Sequence, residues 1–179
     1  MEGFIILDIE QQSLANTGFS LKDIFFPLFV LFLTIISFRE FVAFHLIIEL
    51  FGLIIIYCMF TIAFNTYKQS QNHFYMFLAI SFGFIGIPII MHTFTYKGMN
   101  VFPGIDANLP TQLYILIRYM TSLAFLASFY YLKRSLPVKQ VVLGSLIFTL
   151  LSIFLIFKGT FPNCFIEGQG LTPFKVISE

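Results

Sequence analysis

"FVAFHLIIELFGLIIIYCMFTIAF", residues 41–64, contains a single formal charge, Glu49. At about 1.5 Å per residue it makes a helix of roughly 36 Å, longer than the ~30 Å hydrocarbon core of a bilayer. A helix this apolar all round is matched by lipid, and it closes its own backbone hydrogen bonds where no water is available. Working outward, four more apolar runs occupy 22–38, 74–95, 111–132 and 140–157. Their separators are polar or turn-forming: "FRE", "NTYKQSQNH", "YKGMNVFPGIDANLP", "KRSLPVK" and "KGTFPNCFIEGQGLT". The closing "PFKVISE" reads as the first turns of another helix, with Pro173 suited to an early helical position. The expected fold class is all-α: a polytopic transmembrane bundle of five membrane helices plus the start of a sixth.

Composition supports this. The chain is 58% hydrophobic and 11% charged, against about 25% charged in soluble domains. A net charge of +1 gives no electrostatic footing for nucleic acid, so the bilayer is the expected partner. The acidic N-terminus lacks a basic region followed by a cleavage site, so no cleaved signal peptide is expected. Lys133, Arg134 and Lys139 place the loop between the fourth and fifth helices in the cytoplasm. Residues 1–20 then form a cytoplasmic N-terminal segment and 21–179 the membrane domain, cut short at its C-terminal end. The 96–110 and 158–172 loops face outward. Cys58 is expected to be a small core side chain, too deep to pair with Cys164. Gly83 and Gly86 are expected to allow close helix approach, and Pro88 to kink its helix.

The polar residues gather at the outward end. His45 and Glu49 stand i, i+4 on one helix face. His92 lies in the last turn of the third helix. Thr111, Tyr114, Arg118 and Ser122 form one stripe of the fourth, with Arg118 at a depth similar to that of Glu49. A charge in lipid costs at least ~2.5 kcal/mol, so these groups should turn inward and pair, with Glu49–Arg118 the expected ion pair. Gln112, Asp106, Cys164 and Glu167 lie in or beside the loops that would cover the cluster. His45, Glu49 and His92 supply two imidazoles and a carboxylate, a donor set for a transition metal. The histidines could instead ligate a haem axially, or the cluster could carry protons or ions. Other readings are an apolar-ligand pocket such as one for a quinone, and a polar staple between helices. No Ser–His–Asp set, phosphate-binding glycine loop or CxxC pair is present, so no catalytic residue is expected.

"FHLIIELFGLIIIYCMFTIAFNT", "MHTFTYKGMNVFPGIDANLPTQLYILIRYMTSL" and "FPNCFIEGQGLTPFKVISE" give the chain a family look. Over residues 20–179 it resembles the third class of bacterial membrane-associated sensor (MASE) domains. The resemblance implies a multi-pass input domain of the bacterial inner membrane. Such a domain passes its signal to a C-terminal cytoplasmic histidine kinase or cyclic di-GMP enzyme, and catalysis belongs to that output domain. A homodimer is expected by analogy. Among the residues that carry the likeness are His45, Glu49, His92, Tyr96, Gln112, Arg118, Cys164 and Glu167. The resemblance names a role and leaves the stimulus open.

Overall fold

The computed structural model describes residues 21–179, with side chains from Asp23 onward. The expected 1–20 segment lies outside the described residues. Among the described residues six α-helices run in order: α1 Leu21–Arg39, α2 Phe41–Ser70, α3 His73–Thr95, α4 Asn108–Ser128, α5 Val138–Phe157 and α6 Pro173–Ser178. A 3-10 turn, Phe129–Leu132, extends α4, and the only sheet among the described residues is a two-stranded hairpin, β1 Phe165–Ile166 with β2 Gly170–Leu171. Among the described residues four helices, α2 to α5, are long and apolar enough to cross a membrane. The architecture is therefore helical and membrane-spanning, and the helices lie over the predicted apolar runs. One boundary moves: α2 continues to Ser70, through residues predicted to be loop. Asn65, Thr66 and Lys68 are tolerated in the closing turns of a helix that outruns the hydrocarbon core.

The chain divides into two compact units, one ending at His45 and the other Leu46–Glu179. The boundary falls inside α2, a continuous helix. The described part of the first unit is α1 and the opening turn of α2. In α1, Thr34 and Ser37 return their hydroxyls to the Val30 and Thr34 carbonyls, which hides their polarity on an apolar helix.

In the second unit α3 is central. Its Ile85 shares one buried core with Leu113, Leu116, Met120 and Ala124 of α4 and Ile156 of α5. Nearer the other end, Met76 and Ile80 pack against Leu136. The helix runs on through Pro88 to Thr95. The α2–α3 connection is tight. Gln71 takes a left-handed φ of 48°, the Asn72 side chain caps α3 by accepting from Tyr75 N, and Tyr67 bonds His73 Nδ1 at 2.8 Å. Outward faces of α2 and α5 carry Phe51, Ile54, Ile62, Leu150 and Phe154 in exposed positions, as lipid-facing surfaces require.

Cys58 corrects the sequence expectation. It is exposed on α2, while its neighbours Tyr57 and Phe60 are the residues that meet α3. Gly83 and Gly86 do mark the close approach of α2 to α3. A Cβ on Gly86 would lie 2.8 Å from the Tyr57 hydroxyl, and one on Gly83 3.2 Å from the Phe60 ring. Gly52 has nothing within 4 Å. Gly86→Leu is therefore expected to lower stability in detergent by about 1–3 kcal/mol through overpacking. Gly52→Leu should stay within about 0.5 kcal/mol of the parent. Equal effects of the two would refute the close approach.

Candidate metal and ligand site

Antiparallel α2 and α3 bring Glu49 to the last turn of α3. Glu49 Oε1 lies 3.2 Å from His92 Nε2, with side-chain exposures of 16% and 8%. Glu49 Oε2 accepts from the Thr93 hydroxyl, which also reaches the Ile89 carbonyl. His92 Nδ1 lies 2.8 Å from the Pro110 carbonyl. A carbonyl only accepts, so Nδ1 carries the proton and Nε2 is turned to the carboxylate. Two lone-pair groups at that distance repel unless a cation stands with them. That cation can be a second proton on the imidazole or a metal ion. An imidazole whose outer N–H is held by a backbone carbonyl is the usual support of a metal-ligating histidine.

His45 belongs to the first unit and Glu49 to the second, yet α2 carries both, one turn apart on one stripe. Tyr96 and Tyr114 flank the His92 ring, with centroids 6.3 and 6.0 Å away. A cavity of about 340 Å³ opens beside His92, lined by Tyr96, Thr111, Tyr114, Phe165 and Lys175 among others. Lys175 pairs with Glu179, which also accepts from the Tyr114 hydroxyl at 2.8 Å.

The expected Glu49–Arg118 pair is not formed: Glu49 meets His92 and Thr93. On α4 the stripe of Leu116, Met120 and Ala124 faces α3, and Arg118 lies two residues from Leu116 and Met120, about 200° around the helix. It is exposed.

Cys164 and Glu167 belong to the covering segment and Gln112, on α4, holds it; none of the three lines the cavity beside His92. Gln112 Nε2 donates to the Phe161 and Pro162 carbonyls at 3.1 and 2.9 Å. Asn108 Oδ1 accepts from Cys164 N and Phe165 N at 2.8 and 3.0 Å, and its amide donates to Asn163 at 3.1 Å. Cys164 is fully buried, and burial pushes its thiol up to about 11, so it stays protonated and unreactive at neutral pH. Thr93 and Lys175 carry no signal in the sequence that sets them apart from other polar residues near helix ends. Asn108 stands out only as part of the family-like block.

Lys97 and Glu167 tie the hairpin to the end of α3 at 2.8 Å, both largely exposed. The hydrogen bond and charge of Lys97 hold the Glu167 carboxyl below its ordinary range, and Glu167 raises Lys97 by the same contact. A lowered carboxyl contributes while ionised, and its contribution is lost as pH falls through the lowered value. Hydrogen-exchange protection of the hairpin amides, corrected for intrinsic rates, is expected to drop in acid in the parent protein and not in Glu167→Gln. Identical acid profiles would show that the tether does not hold the hairpin.

Comparison with known proteins gives one match: the sequence model of the MASE3 membrane-associated sensor domain aligns with residues 36–179. No curated protein and no solved structure matches the chain.

Proposed function

From the premise that the chain belongs to the membrane-associated sensor domain family, as a match over residues 36–179 requires, we propose that it senses a transition metal or a small ligand. The site is the outward-facing end of the bundle. The sequence offers His45, Glu49 and His92 as the metal-ligating set, of which Glu49 and His92 meet within the second unit, with the cavity lined by Tyr96 as the place for a small organic ligand. The observation that carries the reading is the Glu49–His92 contact with His92 Nδ1 fixed on Pro110. Two neutral imidazoles and a carboxylate suit Zn, Fe or Cu. Bound there, a metal would supply charge that holds the helices in one arrangement. Lys133, Arg134 and Lys139 favour a cytoplasmic α4–α5 loop in a bacterial inner membrane.

The signal path follows covalent and hydrogen-bonded structure. His92 holds Pro110 in the first turn of α4. Further along α4, Tyr114 and Tyr119 hold Glu179 and Ser178 at the end of α6. A change at His92 that shifts α4 would move α6, and with it a cytoplasmic histidine kinase or cyclic di-GMP enzyme joined to it. Gln112, Cys164 and Glu167 serve as the structural cover. Arg118 tunes the α4 face that meets α6. Catalysis belongs to the output enzyme, and the assembly signals as a homodimer.

The test is elemental analysis of protein purified without added metal. Near-stoichiometric transition metal is expected in the parent and its loss in Glu49→Gln. Absence of metal from folded parent protein, even after incubation with Zn, Fe and Cu salts, would overturn the metal reading. A Soret band would move the assignment to haem.

A further inference from the structure

A second cavity, of about 220 Å³, lies between α3, α4 and α5, nearer the Lys133 end of the bundle than His92. On α3, Ser81 is eleven residues from His92, about 16 Å along the axis. Ser81 forms the floor with Ile85, Ala124 and Leu123 line the α4 side, and Gly144 and Ser145 line the α5 side. Leu123 and Gly144 are exposed, so the mouth faces the lipid.

Many hydroxyls on these helices are satisfied by their own backbone. Thr61, Thr66 and Thr95 each return the hydroxyl to the carbonyl one turn back, at 2.8 Å. Ser81, 9% exposed, and Ser145 make no hydroxyl hydrogen bond among the described residues. One turn beyond Ser145, Thr149 is fully buried with its hydroxyl equally unbonded. Donors without acceptors are costly at membrane depth, where water cannot replace the missing partner. An apolar cavity of ~150 Å³ holds a benzene ring, so this one holds a substituted ring. Donors from two walls call for oxygen acceptors on that ring, and the open mouth calls for a molecule dissolved in the membrane.

We propose that Ser81 and Ser145 bind a lipid-soluble, single-ring molecule of the quinone class in this cleft, independently of the site at Glu49 and His92. The hydroxyls of the two serines donate to the ring's carbonyl oxygens, and the aliphatic and aromatic lining takes the ring faces.

The experiment uses the full chain in lipid nanodiscs, a short-chain 1,4-benzoquinone, and durene, a methylated benzene without oxygen, as reference. The quinone is expected to bind the parent more tightly than durene does. Ser81→Ala and Ser145→Ala should each weaken the quinone roughly five- to tenfold, as loss of one net hydrogen bond does, and leave durene unchanged. Ser145→Thr, which keeps the hydroxyl, should retain binding and guards against a folding defect in the alanine variant. Equal affinity for the two probes, unchanged quinone binding in both alanine variants, or no quinone binding by the parent would overturn the proposal and leave a crevice for lipid tails.

Discussion

His92→Ala is expected to destabilise the protein by about 3–5 kcal/mol, because it takes the imidazole from a Glu49 carboxylate that is held away from water. In the parent, Glu49 has His92 Nε2 at 3.2 Å and the Thr93 hydroxyl, and it is only 16% exposed. Without the imidazole, the carboxylate loses a close partner at 3.2 Å for a charge held away from water. The deletion also releases the Pro110 carbonyl, which holds the first turn of α4 against α3. Chemical unfolding in a fixed detergent measures the loss. The decisive comparison is His92→Ala with Glu49→Ala in one chain. Removing both partners leaves no orphan charge, so the double variant should recover a large part of the single variant's loss. Simple additivity of the two single losses would show that the pair is not coupled and would remove the footing of the metal site.

Asn108→Ala is expected to expose Cys164. Three hydrogen bonds from one side chain hold the covering loop: Cys164 N and Phe165 N donate to Asn108 Oδ1, and Asn108 Nδ2 donates to Asn163. Alanine leaves two backbone N–H groups without their acceptor, at about 1–3 kcal/mol for each that stays buried. Gln112, through Phe161 and Pro162, and the Lys97–Glu167 pair then hold the segment. The readout is labelling of Cys164 by a charged, membrane-impermeant thiol reagent at neutral pH. The parent thiol, buried and pushed up to about 11, should resist labelling, and the variant should label at least tenfold faster as the loop opens. A charged reagent leaves lipid-facing Cys58 unread. Equal rates in parent and variant would mean that Asn108 does not close the loop.

The sequence by itself determined the helices and their membrane character. Runs such as 41–64 and 140–157 are so uniformly apolar that no competing arrangement of their backbone survives in lipid. Gly86 and the polar end of the bundle were legible for the same reason, since small or charged residues at membrane depth need a stated partner. The partners themselves were decided by tertiary structure. Counting residues along the helices puts Glu49 and Arg118 at similar depth, and sequence fixes depth but not rotation about a helix axis. The packing of Leu116 and Met120 on α3 turns Arg118 away, and the antiparallel register of α2 and α3 gives Glu49 to His92 and Thr93. Cys58 was misread likewise, because an apolar run offers no marker of which face meets protein and which meets lipid. Nor could local sequence reveal that Asn108 serves amides more than fifty residues away. Such contacts depend on chain reversals whose angles are set by packing, and packing is a property of the whole fold.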